Sequence, residues 1–335
     1  MSFFKFLLPN IFCEILNESP IDAKCITTLI IADKIKSFKK CHAIKKDVID
    51  GIVIIMAMIV PFVNISFVGS LWFFSLNDSL QKKEALNITA KSALIYDLSS
   101  NKVLFDKNAK EKLPMASLTK IMTAIIALEN PRKDDRYVVE GSDLVGEDSM
   151  GLGTGETLSL KELLYGLMLK SGNDAAETLA GNFKGGRSAF IKAMNDKAKS
   201  LGLKDTNFTN PTGLEGDGKQ YTTAYDLIVI SKYALDNFPL FNQIVSTFDY
   251  NIEASSSHKA FFLENETNLL TSYPGVKGVK TGFTPEAGLC LVTYLDYQGH
   301  KVLGVVLGSD DRRGEMIELL DYSLESQGIK PPKHG

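Results

Sequence analysis

Hydrophobic and polar positions are patterned differently in successive parts of the chain, and the changes of pattern mark its elements. From Gly51 to Leu76 no charged side chain occurs. That run is long enough to cross a bilayer, although Pro61 and Asn64 interrupt it. Residues 77–91 turn polar and read as a linker. Strand-like runs at Ser92–Asp97 and Lys102–Phe105, parted by Ser99-Ser100-Asn101, predict two strands and a turn. After Pro114 an apolar run, Ile121 to Leu128, predicts a helix buried on nearly all sides and stopped near Asn130 by Pro131. Ser159 and Glu162 form a capping box for a helix to about Lys170, with Leu160, Leu163, Leu164, Leu167 and Met168 at helical spacing. Ser171-Gly172-Asn173 breaks it, and a second helix spans Asp174 to Ala180. Helical runs at Ser188–Ser200 and Thr223–Leu235 flank a polar loop containing Asn210-Pro211-Thr212-Gly213. The pattern then returns to strands at Gly278–Phe283, Gly288–Tyr294 and Lys301–Leu307, with a Gln298-Gly299 turn, before an amphipathic segment from Gly314 to Leu324. Strands at both ends with helices between predict an α/β fold whose N- and C-terminal strands share one sheet.

Charge places the ends of the chain. Lys34, Lys36, Lys39, Lys40, Lys45 and Lys46 precede the apolar run, which puts residues 1–50 in the cytoplasm and everything after the run outside. The expectation is a single-pass anchor at residues 51–76 with the remainder extracytoplasmic. The competing reading starts the protein at Met56 or Met58 and cleaves a signal peptide near Val68-Gly69-Ser70, giving a secreted protein. A formal net charge of −3 offers nothing to nucleic acid. The four histidines, His42, His258, His300 and His334, are scattered singly without metal-ligand spacing, so neither a metal nor another cofactor is expected. Cys13, Cys25 and Cys41 precede the apolar run, while Cys290 stands alone in a strand-like stretch and reads as a packing residue.

The chemistry centres on Ser117-Leu118-Thr119-Lys120, at the start of the apolar helix. At 3.6 residues per turn, positions i and i+3 share a face, so the serine oxygen and the lysine nitrogen can meet. A lysine desolvated there gains access to its neutral amine, which can take the serine proton. The spacing alone is weak, since Ser37, Ser79, Ser99 and Ser256 also head Ser-x-x-Lys tetrapeptides. None of those opens a long apolar helix after a proline. Ser171-Gly172-Asn173 taken by itself reads as a helix cap.

With Lys280-Thr281-Gly282 these elements complete a pattern, and the chain resembles the serine D-alanyl-D-alanine carboxypeptidases, the low-molecular-mass penicillin-binding proteins. Ser-x-x-Lys, Ser-Gly-Asn and Lys-Thr-Gly occur in that order, and Asn210-Pro211-x-Gly213-Leu214, Thr223-Ala224-x-Asp226 and Thr267-Asn268-Leu269-Leu270 look like further landmarks. The resemblance implies a β-lactamase/DD-peptidase-like fold with a helical subdomain over residues 92–327, followed by a short tail, 328–335. It also implies an acyl-enzyme on Ser117, with Lys120 as base and Ser171 relaying a proton to the leaving amine. Asn173, Lys280, Thr281, Gly282 and Phe283 would hold the substrate, a peptidoglycan stem ending in D-Ala-D-Ala, and β-lactams would inhibit. Gly172 stands where class A β-lactamases carry aspartate, and no Glu-x-x-Leu-Asn follows, so slow release of a penicilloyl group is expected. A D-alanyl endopeptidase shares the same motifs, and a catalytically silent wall-peptide receptor is the non-enzyme alternative.

Overall fold

The computed structural model describes residues 86–146 and 148–334; the apolar run at 51–76 and the tract before it lie outside them. The domain opens with β1 (Ser92–Asp97) and β2 (Lys102–Lys107), then α1 (Lys120–Glu129) and the short strands β3 (Tyr137–Val138) and β4 (Thr157–Leu158). Next come α2 (Leu160–Leu169), α3 (Asn173–Gly181), α4 (Gly186–Ser200), α5 (Ala224–Asn237) and α6 (Pro239–Val245). The strands β5 (Asp249–Ile252) and β6 (Phe261–Glu264) precede α7 (Leu269–Ser272), and β7 (Val276–Thr284), β8 (Gly288–Tyr297), β9 (His300–Ser309) and α8 (Arg312–Glu325) close the fold.

The expected union of the chain's two ends is present. One antiparallel sheet runs β2-β1-β9-β8-β7, with N-terminal β1 paired to C-terminal β9 from Ser92↔Leu307 to Asp97↔Val302. Its strands have apolar residues on both faces because both faces are covered. In β9, Val302 and Val306 pack with Met316, Leu319, Leu320 and Leu324 of α8. Leu303, Val305 and Leu307, on the opposite face, join the larger core shared with the helices. Gly304 lets α8 approach, since a Cβ there would lie 2.6 Å from the Met316 sulfur. On the other side, α1 is buried from Lys120 through Ala127, as its apolar run requires. The capping box on α2 is made: Ser159 Oγ accepts from Glu162 N–H at 3.3 Å, and Ser159 N–H donates to the Glu162 carboxylate at 2.8 Å.

The structure departs from the sequence pattern in three places. The packed domain begins before Ser92: Ile88 and Ala90 are buried, and the Thr89 and Ala90 N–H groups donate to the Glu315 carboxylate. The polar look of that stretch hides two inward-facing residues. The β3/β4 ribbon and the β5/β6 hairpin have no alternation long enough to announce them. The hairpin is held by tertiary contact, Tyr250 stacking on Tyr165 of α2 with ring centroids 3.5 Å apart. Helix α6 starts at Pro239, separated from α5 by Phe238 alone, and lies beyond the helical run read from the sequence, which stops at Leu235. Cys290 is wholly buried in β8, and desolvation pushes its thiol up to about 11. Among the described residues no helix is long and apolar enough to cross a membrane.

Candidate active site

The edge strand β7 faces the turn that leads into α1, and there the chemistry-bearing residues meet. Residues Ala116–Thr119 form a single 3-10 turn, so Ser117 stands on a tighter turn ahead of α1 rather than on the helix. Ala116 takes φ +48°, a left-handed conformation that an L-residue adopts only when its surroundings hold it. Side chains hold it there: Thr119 Oγ1 donates back to Ala116 O at 2.9 Å, and Gln220 Nε2 donates to Thr119 Oγ1 at 3.2 Å. Two glycines press on the same peptide. A Cβ on Gly213, itself at φ +91°, would lie 2.0 Å from Ala116 O, and one on Gly282 would lie 3.1 Å from Ser117 N. No side chain fits at Gly213.

Lys120 is fully buried, and its Nζ lies 2.8 Å from Ser117 Oγ, 2.7 Å from Asn173 Oδ1 and 2.7 Å from Thr212 O. Burial holds its amine well below the ordinary lysine value; Lys280 adds to the depression, while Asp148, Glu266 and Asp174 oppose it. A neutral amine carries two N–H bonds and one lone pair. The amide oxygen of Asn173 and the carbonyl of Thr212 only accept, so they take the two N–H bonds. In that neutral form the lone pair is left for the Ser117 hydroxyl to donate to. Neither Ser171 nor Asn173 caps α3, so the plain helix-cap reading of that tripeptide fails.

Lys280 is buried as completely, but among the described residues its one hydrogen bond is to Thr281 O at 3.0 Å. Desolvation pulls it down to about 8, with Glu266 and Asp148 opposing and Arg312 assisting. Ser171, at φ +55°, has a buried Oγ with no partner. Thr281 and Gly282 are buried in β7, and Phe283 projects with 58% of its surface exposed at the rim.

All eight residues that the motifs nominate therefore belong to this one region, and further contributors carry no motif. Thr212 acts through its main-chain carbonyl. The loop carrying it is fixed by Asn210 Oδ1, which accepts from Gly213 N–H at 2.8 Å, and by Thr123 Oγ1, which donates to Pro211 O at 2.6 Å. Arg312, at the start of α8, sends Nη1 to Gly282 O at 2.8 Å, putting a half-buried guanidinium against β7. Asp174 accepts from the N–H groups of Met150, Gly151 and Leu152 at 2.9–3.1 Å and seats that loop beside Ser171. Gly166 makes room for the same loop, since a Cβ there would lie 2.0 Å from the Met150 sulfur.

Comparison with known proteins points to one family. The family model described as D-alanyl-D-alanine carboxypeptidase matches residues 79–311. The D-alanyl-D-alanine carboxypeptidase DacF of Bacillus subtilis is 36% identical over 251 residues, covering 72% of this chain and 64% of that protein. The chain thus spans somewhat under two thirds of that relative's length. The Streptomyces K15 DD-transpeptidase crystal structure superposes with a TM-score of 0.67 at 32% identity, covering 71% of this chain and 98% of that one. Penicillin-binding protein D2 from Listeria monocytogenes, in a cefotaxime-bound form, gives 0.61 at 30% identity, covering 72% and 99%.

Proposed function

The chain belongs to the D-alanyl-D-alanine carboxypeptidase family, and on that premise we propose that it removes the terminal D-alanine from peptidoglycan stem peptides ending in D-Ala-D-Ala. The observation that carries this reading is the Lys120 nitrogen, wholly buried, held by Asn173 Oδ1 and Thr212 O at 2.7 Å each and set 2.8 Å from Ser117 Oγ. A receptor that only bound peptide would have no use for a desolvated base aimed at a hydroxyl.

The mechanism follows from the positions. Ser117 Oγ attacks the carbonyl carbon of the penultimate D-alanine as its proton passes to Lys120. The oxygen that gains charge is held by the backbone N–H groups of Ser117 and Phe283, and losing one such donor costs about 3 kcal/mol of barrier. Ser171 delivers a proton to the leaving nitrogen and takes one in turn from Lys120, which frees the amine again; the C–N bond breaks, and D-alanine departs. Water then attacks the Ser117 ester as its proton passes to Lys120, the Oγ–C bond breaks, Lys120 returns the proton to Ser117 Oγ, and the shortened peptide leaves. Lys280, the Thr281 hydroxyl and Arg312 receive the substrate's terminal carboxylate, while β7 lends its free edge to the peptide main chain. β-Lactams enter by the same attack, as the drug-bound relative suggests.

The catalytic domain works outside the cytoplasmic membrane, tethered by residues 51–76 or released there by cleavage. The charge-free run and the lysines ahead of it support this reading. Intact mass of residues 77–335 after brief benzylpenicillin exposure, beside D-alanine release from a D-Ala-D-Ala peptide, tests the function. A stable adduct lost in Ser117→Ala, with D-alanine released by the wild type, is expected. An adduct without release would replace hydrolysis of stems by cutting of cross-links, and rapid drug turnover would make the protein a β-lactamase.

A further inference from the structure

The direction in which a substrate lies follows from the two ends of its reacting residue. With the terminal carboxylate at Lys280 and Thr281 and the scissile carbonyl beside Ser117 and Phe283, the peptide runs antiparallel to β7. Its upstream part then passes the far end of that strand, Thr284 to Glu286. An extended chain advances about 3.3 Å per residue, so the residue before D-Ala-D-Ala comes level with that end.

Glu215 stands there. Its carboxylate accepts the Glu286 N–H at 2.9 Å and the Thr284 hydroxyl, and these two donors hold it below the ordinary carboxylate range. It is exposed, and among the described residues no cation pairs with it. A carboxylate offers about four lone-pair positions, so two donors leave acceptor capacity facing solvent. The loop bearing it does not swing freely. Asn210 Nδ2 donates to Leu214 O at 2.8 Å, and Arg187 ties Asp217 at 2.9 Å while also gripping Glu177 at 2.7 Å. Gly213, two residues before Glu215, is wedged against Ala116. The charge is thus fixed relative to Ser117.

We propose that Glu215 is a specificity-determining residue that selects peptides whose residue immediately before D-Ala-D-Ala carries a free side-chain ammonium. This rests on the carboxypeptidase reading above. A four-carbon stem places the ammonium roughly 6 Å from its backbone, within reach of a carboxylate beside the track. Acylating that amine removes the charge, so stems whose side chain is already capped or cross-linked lose the contact.

The test uses two peptides that differ in one group: an N-acetylated Lys-D-Ala-D-Ala with its side-chain amine free, and the same peptide with that amine acetylated. D-Alanine release is followed for the wild type and for Glu215→Gln, whose amide oxygen can still accept from Glu286 N–H. The wild type is expected to favour the free amine in kcat/KM by about two- to fivefold at low salt, the size of a solvent-exposed ion pair. In Glu215→Gln that ratio falls to about one. Equal wild-type values, or a ratio unchanged by the substitution, would overturn the assignment while leaving the carboxypeptidase reading intact. Cleavage of neither peptide would remove both.

Discussion

Lys120 and Lys280 are both wholly buried within one site, yet their surroundings differ in a way that separates two tasks. Around Lys120 each position on the nitrogen is taken, by Ser117, Asn173 and Thr212. Around Lys280 the described residues supply one carbonyl, and the Ser171 hydroxyl, two residues before Asn173, has no partner. Buried polar groups are costly when unmade and nearly neutral when satisfied. The first region is therefore complete in the resting enzyme, preorganised for proton transfer. The second leaves its donors open, and a substrate carboxylate supplies what they lack. Satisfied polarity marks the machinery here, and unsatisfied polarity marks where the ligand goes.

That contrast predicts opposite consequences for one kind of substitution. Lys120→Met should lower the rate of acylation by benzylpenicillin by about 10³-fold, within the usual worth of a positioned base. It should also destabilise the fold by about 2 kcal/mol, because the Asn173 and Thr212 oxygens lose their donor. Lys280→Met should lower kcat/KM for D-Ala-D-Ala peptide by about 100-fold, the scale of removing a desolvated partner from a charge pair. Its thermal midpoint should rise, since a buried cation with one protein partner gives way to an apolar chain. Thermal unfolding of the two variants beside wild type reads the comparison directly. Two shifts of the same sign would break it.

Much of this was legible before any coordinates. The hydroxyl–amine pair needs only helix spacing, and the sheet joining both chain ends needs only the order of strand and helix patterns. Lys280 and Ser171 were found because side-chain motifs carry them. What escaped reading acts by other means. Thr212 contributes a main-chain carbonyl, which every residue possesses, so no side-chain signal marks it. Arg312 lies thirty residues beyond Gly282 and reaches β7 only because α8 packs back against the sheet. Gly213 is flagged by its landmark motif, but the reason for a glycine there, its approach to Ala116, is visible only in the fold. The β5/β6 hairpin owes its place to one stacked tyrosine pair.

The central claim concerns protonation, so it is tested most directly by lysine-selective carbon and nitrogen NMR of the resting enzyme across pH, with Lys120→Met and Lys280→Met assigning the two signals. Lys120 should lose its proton well below the ordinary lysine range, and Lys280 should titrate near 8. The sign for activity follows: below about 8 the Lys280 charge is present, and kcat/KM should fall as pH rises through that value. A Lys120 resonance that titrates in the ordinary lysine range, while the enzyme turns over at neutral pH, would contradict the account.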